Sequence, residues 1–382
     1  MNDADTRVEV VVSLEQLKLH KVAYQQLIDE INSINVLVYT LDWLETMYPI
    51  YNNLGSSLYF LLIWQEESLI GVAPFQLEKK SLSRGGLRRI YFLGDIEGNL
   101  NNYLGDFLIP NKNNIAICIK ALKHHLYVDG RGDWDYIELE YFSEKSIAFQ
   151  VFDKNFSEAN KKLCGMKTFV IEEQDGFSKY KENIKKKLLK ELRRRERKLR
   201  EENNNVQIAC VSEISGEILC KIKNLHSKRQ KYLIKRGDSR HRLFDNKTES
   251  KLFEMLLGMA SAKGLLRCYY ISVGEELVAF VINFCDKNGV LLYLSAFDDQ
   301  YSQYSPARLV RMFLFESELD KYGVNYINML PGETKIKNDF STNKINNWNF
   351  IIINNNFLSY GRYYIWKLAQ LVKKTIKIFR QG

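Results

Sequence analysis

Glu66–Phe75 reads EESLIGVAPF, and Glu275–Phe284 reads EELVAFVINF. Each stretch opens on an acidic pair and runs on as the near-continuous apolar segment expected of a strand buried on both faces. An apolar run stands ahead of each. Ser57–Trp64 (SLYFLLIW) precedes the polar turn Gln65-Glu66-Glu67, and Leu265–Val273 (LLRCYYISV) precedes Gly274-Glu275-Glu276. Two β-hairpins follow from this pattern. Working outward, each hairpin leads to a third strand (Arg89–Leu93 or Val290–Phe297), a helical stretch (near Asn114–Tyr127 or Pro306–Lys321) and a last strand (Tyr136–Tyr141 or Tyr326–Leu330). DYIEL at Asp135–Leu139 matches NYINM at Asn325–Met329. Five elements in the same order predict an internal duplication, an α/β fold of two mixed-sheet units. Ahead of the first hairpin, Leu14–Ile34 and Leu41–Tyr51 carry a helical period, and Pro74 places the end of its strand at an edge or bulge.

The 382 residues are 46% hydrophobic and 13% aromatic, enough apolar material for two cores and too much for a disordered chain. No run of 18 apolar residues occurs, and the opening MNDADTRVEV is polar and acidic, so neither a membrane-spanning helix nor a signal peptide is expected and the cytoplasm is the expected location. Six cysteines stand apart without a C-x-x-C pair, and His124-His125 is the one adjacent couple among five histidines. A zinc ribbon, a redox dithiol and a disulfide scaffold are all excluded, and no metal is expected.

The net charge of +9 is unevenly placed. Lys179–Glu202 holds 12 basic residues against 5 acidic, Ile351–Gly382 holds 6 against none, and the remainder is slightly acidic. The first segment has no Gly or Pro and a thin apolar stripe at Ile184, Leu188, Leu192 and Leu199, which reads as a basic connector helix. It suits either a strip that holds phosphates or a solvated joint between units. Tyr180 is its one aromatic, and no nucleic-acid reader motif is present, so RNA is not the favoured partner. In the second segment Ile365, Leu368, Val372, Ile376 and Phe379 recur at helical spacing beside Lys367, Lys373, Lys374, Lys377 and Arg380. That pattern suits a helix lying on an anionic membrane surface, but amphipathic helices are usually core elements, so a helix packed on the second unit is the first expectation. The division expected is 1–177 for the first unit, 178–204 for the connector, 205–360 for the second unit and 361–382 for the amphipathic helix.

Seven segments together resemble the CelD-like acetyltransferases of the GNAT superfamily, relatives of the Fem-type peptidyltransferases. They are G-V-A-P (Gly71–Pro74), K-E-L-R-R-R-E-R-K-L (Lys190–Leu199), K-Y-L-I-K-R-G-D (Lys231–Asp238), E-E-L-V-A (Glu275–Ala279), L-Y-L-S-A-F-D (Leu292–Asp298), Y-S-P-A (Tyr304–Ala307) and P-G-E-T-K-I-K (Pro331–Lys337). The resemblance implies two tandem GNAT-like units, the second with the better-formed acyl-donor site, and acetyl-CoA or another acyl-CoA as co-substrate. It implies an acceptor amine on a sugar or peptide-like glycan precursor used in envelope or exopolysaccharide assembly, at the inner face of the membrane. Fem-type use of aminoacyl-tRNA and a non-catalytic scaffold stay open as alternatives. The superfamily's glycine-bearing loop is replaced here by Gln303-Tyr304-Ser305-Pro306-Ala307-Arg308, where Ala307 disfavours a positive φ.

Carried onto this chain, the resemblance gives the pyrophosphate to Ser305, Pro306, Ala307, Arg308 and Leu309 at a helix N-terminus, with Arg308 and Arg311 adding phosphate contacts. Unpaired N–H groups and the positive end of the helix dipole make such a terminus an anion site. Aminolysis of a thioester also needs a proton acceptor, oxyanion donors and a proton for the leaving thiolate. Glu333 is the expected base with Asp298 in reserve, Tyr301 and Tyr304 are the candidate donors to sulfur, and Lys337 binds an anionic acceptor or offsets charge. His226 and His241 are expected to be structural.

Overall fold

The computed structural model describes residues 6–53, 56–81, 86–94, 104–238 and 242–379. His241, Arg380 and most of the stretch Gly94–Gly105, expected from its glycines and asparagines to be a loop, lie outside them. The first unit opens with strand β1 (Thr6–Val11), helices α1 (Leu14–Leu19), α2 (Lys21–Glu30) and α3 (Leu41–Asn53), then the hairpin β2 (Ser56–Gln65) and β3 (Ser68–Ser81). Strand β4 (Leu87–Phe92), helix α4 (Ile115–Tyr127), strand β5 (Tyr136–Ser143), helix α5 (Phe149–Asn155) and strand β6 (Asn160–Leu163) follow. Pro74 lies inside β3, between two neighbours, where an edge or bulge was expected. Its carbonyl accepts from Leu93, and the ladder to β4 starts only at Phe75↔Phe92. The donor that proline lacks therefore falls at the end of that ladder, where no partner strand asks for it.

The second unit runs β7 (Thr168–Glu172), α6 (Gly176–Tyr180), α7 (Lys186–Glu202), β8 (Val206–Val211), α8 (Gly216–Lys235) and α9 (Lys247–Ala262). The second hairpin, β9 (Leu266–Val273) and β10 (Glu276–Asp286), leads to β11 (Gly289–Phe297), α10 (Pro306–Glu316), β12 (Tyr326–Pro331), α11 (Lys335–Phe340) and β13 (Asn343–Ile345). Its seven-stranded sheet has the order β13-β7-β12-β11-β10-β9-β8. The basic helix α7 is part of this unit's core and not a solvated joint. Leu192 and Leu199 are buried with Phe169, Tyr180 and Leu309, because a helix carrying even a narrow leucine stripe gains more by covering a sheet than by standing in water.

The chain then returns to the first unit with β14 (Asn347–Ile353) and α12 (Phe357–Phe379). β14 inserts between β5 and β6, giving the order β1-β2-β3-β4-β5-β14-β6. Among the described residues, the compact units thus lie within 6–94, 104–165 and 346–379 for the first and 166–345 for the second. The boundaries expected at 177, 204 and 360 shift for two reasons. β7 pairs antiparallel with β12, Val170 opposite Asn328, and β14 pairs with β5, Ile352 opposite Ile137. The duplicated order of elements holds, and each unit is a mixed α/β sheet with one parallel pair of strands, joined through the main helix.

Candidate functional site

In both units the strands flanking the main helix pair in parallel over two residues and then part. In the first the pairs are Arg89↔Tyr136 and Ile90↔Ile137; in the second they are Val290↔Ile327 and Leu291↔Asn328. What stands beyond the parting differs. In the first unit Phe107 sits with ring centroids 5.5 Å from both Phe92 and Phe142, part of a buried phenylalanine cluster. In the second unit the groups there are polar. Arg311 of α10 donates to Ser295 Oγ on β11 (2.8 Å) and to Ala307 O (2.8 Å), and Lys337 Nζ donates to Leu330 O (2.9 Å) and Pro331 O (2.8 Å) at the end of β12. A left-handed Leu330 (φ 63°) turns the chain here, held by its N–H on Asn328 Oδ1 (2.8 Å).

Neither Arg311 nor Lys337 has a carboxylate partner among the described residues. Burial lowers the Lys337 pKa to about 8, with the neighbouring Arg311 charge adding to the effect, and burial lowers Arg311 to about 10, with Arg308 adding. Two adjacent, partly buried cations held only by neutral oxygens disfavour one another. An anion placed between them would relieve both costs.

At the opening of α10, a 3₁₀ turn (Asp299–Tyr304) ends on Ser305 in the left-handed region, φ 55°. Ala307 lies inside the helix and needs no positive φ, so the loop turns without glycine because Ser305 takes that conformation. The N–H groups of Arg308 and Leu309 turn back to Ser305 O (2.9 and 3.1 Å). The cation at this helix terminus is Arg195 of α7, which donates to Gln303 O (3.1 Å) and to Ser305 Oγ and pairs with Glu191. Arg308 instead pairs with Asp339 of α11 (2.6 Å). Arg195 was hidden in the sequence among residues that read as a connector, and only the leucines that seat α7 on the core hinted at its direction.

Asp298 is tied into the fold. Its carboxylate accepts from Gln300 N (3.0 Å) as an N-cap and from Lys228 Nζ (2.6 Å), as expected of a structural acid rather than a free base. Tyr304 donates to Glu202 (2.7 Å) and Tyr301 to Glu276 (3.2 Å), their rings 6.3 Å apart. Burial and the Glu276 charge raise the Tyr301 pKa, so its phenol keeps its proton. Glu333 is exposed after β12 and accepts from Asn338 (2.8 Å). Buried His226 meets Gln230 (3.2 Å) and the edge of Phe244. Burial lowers its pKa to about 4.

These features define a class before any comparison is made: a duplicated mixed α/β protein whose second unit has a cationic parting of strands beside a helix N-terminus. Residues 186–338 match the family described as the acetyltransferase (GNAT) domain, so the second unit carries a GNAT acyltransferase fold. No curated protein matches the sequence. Among solved structures, FemX is similar over 88% of this chain and 96% of its own, with a TM-score of 0.57 and 9% identity. A conserved protein of unknown function from Bacteroides thetaiotaomicron is similar over 90% of this chain and 99% of its own, with a TM-score of 0.52 and 8% identity. At such identities the likeness is one of fold. The CelD-like branch is a finer assignment than these similarities carry.

Proposed function

We propose that the protein is an N-acyltransferase of the CelD-like type that moves an acyl group, acetyl in the simplest case, from acyl-CoA to an amine of a sugar or peptide-like precursor of an envelope polysaccharide. The observation that carries this reading is the pair Arg311 and Lys337, uncompensated where β11 and β12 part. Acyl-CoA supplies an activated acyl carbon and a thiolate leaving group when bound. In this reading Arg195 and the first turn of α10, Ser305–Leu309, receive its phosphates, with the Arg308 N–H exchanging Ser305 O for a phosphate oxygen. The Lys337 ammonium, with Arg311 behind it, offsets the negative charge that develops on the acyl oxygen. Glu333 takes the amine proton directly or through water, and the Tyr301 phenol has a proton to give to sulfur. Titration calorimetry with acetyl-CoA, CoA and acyl-carrier protein, beside mass spectrometry of whatever co-purifies, tests the reading. Binding of a CoA species is expected, and silence from all three ligands would overturn it.

A second reading has its own observation. Lys186, Lys187, Lys190, Arg193, Arg194 and Arg197 are exposed and fall within about 120° of one face of α7, at roughly 100° per residue. Among the described residues only Arg197 of these has a carboxylate, Glu201 at 3.5 Å. Such a ridge suits the phosphates of an aminoacyl-tRNA, the Fem-type donor. Steep loss of tRNA binding with rising salt would favour that reading over acyl-CoA.

A further inference from the structure

Helix α12 is docked the wrong way round for a core element. The face against the first unit is polar and aromatic. Ser359 donates to buried Asp135 (2.5 Å), Tyr363 packs on Tyr136 with centroids 5.3 Å apart, and Trp366 stacks on Tyr136 at 6.0 Å. At about 100° per residue, the aliphatic positions fall on the opposite side. Phe357, Leu358, Ile365, Leu368, Leu371 and Val372 lie within an arc of roughly 140° by that spacing, and all six are exposed, Phe357 to 88% and Ile365 to 70%. Ile365, Leu368 and Val372, the described members of the stripe expected to pack on the second unit, thus face away from the docked side. Of the cations noted with it in the sequence, Lys367 is described and exposed, while the side chains of Lys373, Lys374 and Lys377 lie outside the described residues.

Arg362 borders the stripe on one side and Lys367 on the other, both exposed. From Ile351 to Gly382 the chain has six basic residues and no acid. Arg362 has buried Asp135 at 3.6 Å, but among the described residues Lys367 has no acid beside it and the segment carries none of its own, so a second copy of this face would set like charge against like charge, whereas an anionic bilayer offers apolar chains to the stripe and phosphates to its borders. We propose that α12 is an interfacial helix that seats the first unit on an anionic membrane surface, its aliphatic face turned into the lipid. No described helix is long and apolar enough to cross a membrane, so the association is one of lying on the surface. The proposal does not depend on which acyl donor the second unit uses.

Flotation of the full-length protein with phosphatidylglycerol vesicles and with phosphatidylcholine vesicles at low salt tests it. Co-flotation with the anionic vesicles and at least tenfold less with the neutral ones is expected. The double variant Ile365→Asp/Leu368→Asp should lose at least tenfold in vesicle binding with an unchanged melting temperature, since both side chains are already in water. Lys367→Glu should weaken binding and reduce its salt dependence. Absence of the wild type from the floated fraction would overturn the proposal. So would a wild-type dimer by light scattering that the double variant converts to monomer while vesicle binding is unaffected, because the face would then belong to a second copy.

Discussion

Lys337 bears the most testable chemistry in the molecule. Its ammonium is present below about pH 8 and lost above, so acyl transfer that relies on it should decline as pH rises through 8. Lys337→Met should lower kcat by about 10²–10³ with the fold intact, the usual cost of removing an oxyanion donor. The stability sign is opposite. Between about 8 and the ordinary lysine value the folded protein binds fewer protons than the unfolded chain, so this residue's contribution to stability rises with pH there, and the Met variant should flatten that slope in denaturation curves. For Glu333→Gln a fall in kcat of about 10²–10⁴ at unchanged CoA affinity is expected in steady-state assays, and full retention would remove it as the base. His226 has a folded pKa of about 4, below its unfolded value. Its neutral form supports the fold above the unfolded pKa, and that support is lost as pH falls toward 4. His226→Leu should therefore lessen acid sensitivity in melts taken across that window.

At the scale of elements, the hairpins were legible because local signals agreed: apolar runs, a short polar turn, and the same order twice. The observed β2, β3, β9 and β10 fall within a few residues of the expected spans. Three things were not legible. β14 pairs with β5 across some two hundred residues, and no local pattern says which of two sheets a strand will join. Arg195 reads like its basic neighbours, and only the seating of Leu192 and Leu199 turns it toward Ser305. The outward stripe of α12 has the same period as a core stripe, so periodicity alone leaves its direction open. If α7 is core and not a joint, Leu192→Ala should cost about 2–5 kcal/mol in chemical denaturation, the range for a buried leucine, whereas a solvated connector would lose almost nothing.

At the scale of the molecule, the two units differ at their equivalent partings. The parting of strands in the first unit is closed by phenylalanine, and the equivalent place in the second holds paired cations, so acyl-donor binding should reside in the second alone. Phe107→Ala should destabilise the first unit by about 3–5 kcal/mol in calorimetric unfolding and leave CoA affinity unchanged. The insertion of β14 between β5 and β6 has a consequence in time. A ribosome delivers β5 and β6 early, but the strand that joins them emerges only after the whole second unit has been made. At 5–20 residues per second that delay is on the order of ten to forty seconds. During it the edges of β5 and β6 stand unpaired while the uninterrupted second unit can close on its own. The nascent chain should therefore mature from its middle outward, and chains truncated before Asn346 and released from the ribosome should be cleaved by protease in the first unit and spared in the second.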